Sequence, residues 1–201
     1  MATALEELDN YVVSPCDYAE IIQVALIYYQ LCIIQPFLYE NGTTTRACVN
    51  RLLVQKKLIS YPILCFSEFM SLFDAEFRDF LRLVRDGWRN YETWISFFLR
   101  AVANAAKRTI TILSELHQLR VSDLEKLQNF KKCSPLLSTL YEHLWKSPII
   151  ETRKIASVLG VSYNTTAKAV DTLCYLGILE QVDSKTRYRR FGYKKLKEII
   201  E

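Results

Sequence analysis

The stretch ETRKIASVLGVSYNTTAKAVDTLCYLG, residues 151–177, decides the C-terminal fold. It reads as two helices, Glu151–Leu159 and Tyr163–Leu176, joined by a tight turn. Ile155, Ala156 and Leu159 are the inward positions of the first helix. Gly160 supplies the positive φ the turn requires. Val161 plugs the turn into the core, and Ser162 caps the helix that follows. Ala169, Val170, Leu173 and Leu176 form its buried stripe, and Gly177 ends it.

Working outward, Pro135–Trp145 predicts a preceding helix. Ile178–Val182 and Arg187–Phe191 predict two strands joined at residues 183–186, and Lys194–Ile200 a last helix. Three helices and a two-stranded hairpin in this order make a winged helix-turn-helix. Ser162, Tyr163, Asn164, Thr165, Thr166 and Lys168 fall on the first turns of the recognition helix, where such a module meets base edges and phosphates. The hairpin carries Lys185, Arg187, Arg189 and Arg190, interleaved with Tyr188 and Phe191, a charge suited to the phosphate backbone or a minor groove. Residues 131–201 hold 13 Lys+Arg against 7 Asp+Glu, a net +6, while residues 1–130 hold 13 against 15, a net −2. A basic end behind an acidic body points to double-stranded DNA. Two alternatives stay open: a winged helix used for protein contact, and a hairpin whose arginines merely blunt a solvated strand edge.

The 201 residues, half apolar and 24% charged, make an ordinary globular mixture of one or two domains. Five Gly and five Pro leave few turns for an all-β fold. The longest apolar run, Ile21–Ile34, is interrupted by Gln23 and Gln30 and too short to span a bilayer, so no membrane partner is expected. The acidic start MATALEELDN indicates no signal peptide. Cys16, Cys32, Cys48, Cys65, Cys133 and Cys174 form no CxxC pair and read as reduced, buried, small hydrophobes of a cytoplasmic protein. His117 and His143 stand alone on helix surfaces, and no metal is expected.

Residues 1–130 read as a helical domain and 131–201 as the second. Ser14-Pro15-Cys16-Asp17 predicts a helix start, with the helix running to Ile34. Residues 35–42 read as a loop, Thr43–Lys57 as a helix, and Ser67 as the cap of a third that ends near Asp86-Gly87. Tyr91–Phe130 predicts one long helix. Its stripe of Phe98, Val102, Ala105, Thr109, Ile112, Leu116 and Leu119 packs within its own domain or forms a dimer seam.

Between the first two helices lies QPFLYENGTTTR, residues 35–46, an anion-binding loop in form, feeding a helix N-terminus. It resembles the signature of the Fic (Fido) family, His-Pro-Phe-x-Asp/Glu-Gly-Asn-Gly-Arg-x-x-Arg. YYQLCIIQPF, LLVQKKLISYPILCFSEF and YETWISFFLRAV are similar to the family's flanking stretches, and the appended winged helix fits too. The resemblance implies a mainly α fold, a Fic-like bundle followed by the winged module. It also implies an ancestral activity, transfer of AMP from ATP to a target hydroxyl. Pro36, Phe37, Asn41, Gly42 and Arg46 match the motif. Gln35 stands in place of the catalytic His and has no proton acceptor near neutral pH; general base catalysis alone is worth about 10²–10⁴-fold. Tyr39 replaces the acidic Mg²⁺ ligand, Glu40 the first glycine of the phosphate cradle, and Thr43 a phosphate-holding arginine. Only some thirty residues precede the motif, so most of the upstream helices and the target-positioning β-flap are expected to be missing.

The expectation is therefore a bacterial, cytoplasmic DNA-binding regulator on a catalytically inactive Fic-like scaffold, a homodimer on duplex DNA, with no cofactor. Asn41, Gly42 and Arg46 remain as a vestigial anion site with weak or absent nucleotide binding. The alternatives are a residual nucleotidyltransferase or a winged-helix protein-interaction module.

Overall fold

The computed structural model describes residues 2–85, 91–130, 134–183 and 188–200. The architecture is mainly α, with a small sheet of three strands among the described residues. The chain divides into two compact units, Met1–Ile110 and Thr111–Glu201. The division falls inside one helix, because that helix supplies apolar residues to two separate cores.

The first unit holds α1 (Ala2–Val13), α2 (Glu20–Ile34), α3 (Asn41–Gln55), α4 (Phe66–Leu72), α5 (Asp74–Arg85) and the start of α6 (Tyr91–Asn129). α1 replaces the expected helix start at Ser14. The Ser14 backbone N–H donates to the Asn10 carbonyl at 3.1 Å and its hydroxyl to the Tyr11 carbonyl at 2.9 Å, so Ser14 closes a helix instead of opening one. Pro15 then stops continuation. α2 begins only at Glu20, with no side-chain cap. Ser67 likewise lies within α4, not before it, and the chain between Ser67 and Arg85 forms two helices that meet at Phe73. The expected end near Asp86-Gly87 lies outside the described residues.

The core of this unit is aromatic. Tyr28, Phe66, Trp94, Phe97 and Phe98 are all buried, and the Tyr28 ring lies 5.4–6.0 Å from those of Phe66, Phe77, Trp94 and Phe98. Two polar groups inside it are satisfied. The Trp94 indole N–H donates to the Ala25 carbonyl at 2.9 Å. The Thr109 hydroxyl donates to the Ala105 carbonyl and accepts from the Cys65 backbone N–H at 3.0 Å. Thr109 thus belongs on the apolar stripe of α6 because it ties the loop ahead of α4 to that helix.

The second unit adds α7 (Pro135–Leu144), β1 (Ile149–Glu151), α8 (Thr152–Leu159), α9 (Tyr163–Tyr175), β2 (Glu180–Gln181), β3 (Arg190–Gly192) and α10 (Lys194–Ile200) to the end of α6. β3 is central and antiparallel to both neighbours: Ile150 faces Phe191 on one side, and Gln181 faces it on the other. A Cβ on Gly192 would come within 2.6 Å of Val182 Cγ1, so any side chain here would have to displace Val182. Leu140, Tyr141, Leu144, Leu173 and Tyr193 are fully buried here, with Leu116 and Leu119 of α6 packed against them. Phe98, Val102 and Ala105 pack in the first core. The stripe of α6 therefore serves packing inside each unit.

A buried carboxylate inside the second unit ties the end of α6 to Tyr193. Asp123 is 0% exposed, accepts from the Tyr193 phenol, and receives Lys126 Nζ at 2.6 Å. Burial, reinforced by the hydrogen bond to this carboxylate, keeps the Tyr193 phenol protonated. Tyr193→Phe leaves Asp123 with one donor and is expected to cost about 1.5–3 kcal/mol, the range for hydrogen bonds to charged groups. Urea denaturation followed through tryptophan fluorescence, to which Trp145 contributes with its ring edge-on to Tyr193 at 6.1 Å, measures it against the parent chain; an unchanged unfolding curve would show that the bond contributes nothing net.

Candidate functional site

α9 is built as the sequence prescribes. Gly160 takes φ 65 and Gly177 φ 67 at the ends of the two helices. The Ser162 hydroxyl accepts from the Thr165 backbone N–H at 3.2 Å and lies 2.8 Å from the Thr165 hydroxyl. Ala169, Val170 and Leu173 are buried. Val161 differs from expectation: it is half-buried and lies outside the core.

Burying that stripe turns Asn164, Thr165 and Lys168 outward, with Tyr163 half exposed at the first turn. Thr166 is a correction. It is 0% exposed, and its hydroxyl donates to the Ser162 carbonyl at 3.1 Å, so it cannot meet a base edge. The hydroxyl is satisfied inside the first turn, which lets a polar residue occupy a core position.

Of the four expected hairpin cations, Lys185 and Arg187 lie outside the described residues. Arg189 rests its guanidinium 5.3 Å from the Phe191 ring centroid. It also lies near Cys174 of α9, whose thiol is pushed up by burial and by Asp171 and drawn back by Arg189. Arg190 is paired: its Nε meets Asp183 Oδ2 at 3.2 Å, and its backbone N–H donates to the same carboxylate. Desolvation pulls the Asp183 carboxyl upward, but the hydrogen bonds from Arg190 outweigh it and hold it below the usual carboxylate range. The charge of Arg190 is therefore largely offset. Arg153, at the start of α8, stands 5.9 Å over the Tyr188 ring and so carries cationic charge to the β2–β3 segment. Sequence reasoning missed it, although a basic residue in the first turn of the helix before Gly160 was visible. Lys168 has no carboxylate partner among the described residues.

The loop between α2 and α3 has its own geometry. Gln35 and Glu40, at its two ends, take φ 45 and φ 59, a left-handed conformation uncommon for either residue. Asn41 staples the loop: Phe37 N–H donates to its Oδ1 at 2.9 Å, and its Nδ2 donates to the Phe37 carbonyl at 2.6 Å. The Thr43 hydroxyl donates to Glu40 Oε2 at 2.9 Å, and Arg46 Nε to the Ser67 hydroxyl at 3.3 Å. Phe37, Leu38 and Tyr39 are exposed, Leu38 by 93%. Gln35 is an exposed amide without a titratable acceptor, and the Glu40 carboxylate accepts from the Thr43 hydroxyl at the mouth of the helix. Any anion at the α3 N-terminus would meet that carboxylate beside it.

Elsewhere, Cys32 is buried and its thiol is pushed up to about 12, chiefly by burial. Cys16, Cys48, Cys65 and Cys174 are only half-buried, less than the sequence suggested, and Cys133 lies outside the described residues. Among the described residues no group of three or more His, Cys, Asp or Glu is placed to hold a metal ion, and no helix is long and apolar enough to cross a membrane. No protein-family model matches the chain.

Proposed function

We propose that this chain is a DNA-binding regulator whose second unit is a winged helix-turn-helix and whose first unit is a catalytically inactive Fic-like scaffold. The observation that carries it is α9. A Ser162-capped helix buries Thr166, Ala169, Val170 and Leu173 and turns Asn164, Thr165 and Lys168 to solvent. That is the division of labour a recognition helix needs. The antiparallel pair β2–β3 would serve as the wing, with β1 on the other side of β3, and Arg153 and Arg189 add cations beside it.

The Fic-like reading of the first unit draws support from Glu40. Its left-handed backbone is a conformation that glycine takes freely, and the Fic motif has glycine at this position. The groups on that loop favour loss of catalysis: an amide where a base is required, a phenol where a carboxylate would hold Mg²⁺. Incubation with labelled ATP and Mg²⁺ is expected to label neither the chain nor lysate proteins. Label transfer that disappears on changing Gln35 or Glu40 would instead make the loop an active transferase site.

Titration of the full chain into a labelled random-sequence duplex, read by fluorescence anisotropy across a range of salt, tests the DNA reading. Saturable, salt-dependent binding is expected. Asn164→Ala and Thr165→Ala should alter sequence preference, because they stand where base edges are read. No salt-dependent binding to duplex would sink the proposal and leave protein contact as the role of the module.

A further inference from the structure

A cavity lies wholly within the first unit, bounded by α1, α2 and the start of α6, with a volume of about 750 Å³. That size suits a small organic ligand, for which pockets run about 300–1,000 Å³. Its walls carry Tyr11, Tyr18, Tyr29 and Tyr91, and two carboxylates, Glu7 on α1 and Glu92 on α6. Tyr29 is 6% exposed and fixed: its ring meets Tyr91 edge-on at 6.0 Å and Trp94 edge-on at 5.4 Å. Tyr18, 64% exposed, stands at the open side.

Charge selects the occupant. Residues 1–45 contain six Asp or Glu and no Lys or Arg. Of these, Glu20 is paired with Lys56 at 3.0 Å. Glu7 and Glu92 are exposed and have no cationic partner among the described residues. The smaller cavity near α4 and α5 differs in this respect, since its Arg100 and Arg108 are already paired with Glu76 and Glu68. Aromatic faces with nearby carboxylates attract cations through the ring quadrupole and through Coulomb attraction. A hard divalent ion does not fit, because it demands converging oxygens and no cluster of three acidic side chains is present among the described residues. A compact ammonium gives up its hydration reluctantly. A large cation with its charge spread over apolar substituents loses little hydration and fills the groove.

We propose that the groove between α1, α2 and the start of α6 is a binding site for a hydrophobic organic cation of the quaternary-ammonium or phosphonium class. This proposal is independent of the reading of the second unit.

Tetraphenylphosphonium and tetraphenylborate, alike in size and opposite in charge, separate charge recognition from plain greasiness. Isothermal titration of the full chain is expected to show saturable one-to-one binding of the phosphonium at micromolar concentration, with the borate at least about tenfold weaker, a difference of about 1.4 kcal/mol. Glu7→Gln together with Glu92→Gln should weaken the phosphonium about tenfold, and Tyr18→Ala severalfold, as loss of a cation–π partner does. All three side chains are exposed, so the variants retain the fold, which circular dichroism verifies. Absence of saturation below millimolar phosphonium, equal binding of the two ions, or an unchanged affinity in the double carboxylate variant would each overturn the proposal. The assay contains no DNA, so its failure and that of the duplex titration are separate events.

Discussion

Trp94→Ala is expected to lower the stability of the first unit by about 3–5 kcal/mol, the range for deleting a buried aromatic. The side chain is 0% exposed and lies 5.4–6.0 Å from the rings of Tyr28, Tyr29, Phe77 and Phe97. Truncation removes those contacts at once and leaves a void that rigid neighbouring rings cannot close. It also removes the donor to the Ala25 carbonyl. Against a total stability of about 5–15 kcal/mol for a domain, the loss should lower Tm by more than about 10 °C, read by far-ultraviolet circular dichroism. Tyr39→Ala, 83% exposed in the α2–α3 loop, makes the control, with a change within about 0.5 kcal/mol. Equal effects from the two would mean that the aromatic cluster is not the keystone of this unit.

The contrast between these two aromatics shows what a sequence discloses. Local signals were legible: the Ser162 cap, Gly160 and Gly177, and the limits of α6, where periodicity runs uninterrupted from Tyr91. Thr166 was legible too, had the ladder been followed back. Thr166, Ala169, Val170 and Leu173 stand at i, i+3, i+4 and i+7, so the stripe includes it. Other features depend on partners distant in the chain. β1 is three residues long, has no periodicity of its own, and exists because β3 pairs with it. Ser14-Pro15 carries the chemistry of a helix start, but α1 ahead of it already claims the serine. The pairing of Asp183 with Arg190 joins residues seven apart that no helical or strand periodicity brings together, so the sequence overstated the free charge at Arg190. In the α2–α3 loop the chemistry was visible as residue types, whereas its backbone, with Gln35 and Glu40 left-handed, was not.

Salt is expected to act most strongly on the proposed DNA complex. Counting Lys168, Arg153, Arg189 and the cations of residues 185 and 187 gives about five phosphate neutralisations. Each contributes about −0.9 to the slope of log affinity against log salt, so the slope should be about −4.5, and raising NaCl from about 50 to 200 mM should weaken binding on the order of 500-fold. Lys168→Ala should reduce the slope by about one and lower affinity evenly across sequences. Arg190→Ala should do less, because Asp183 already offsets that guanidinium at 3.2 Å. The converse follows from the same ion pair. Asp183→Asn removes a carboxylate that repels phosphate and releases Arg190 toward it, so the variant should bind severalfold tighter and with a steeper slope. Exposed charges interact within about 10 Å at 0.1 M salt, so the gain should fade as salt rises. An Asp183→Asn variant that binds DNA no better than the parent at low salt would show that the β2–β3 segment points away from the phosphates and that α9 contacts DNA alone.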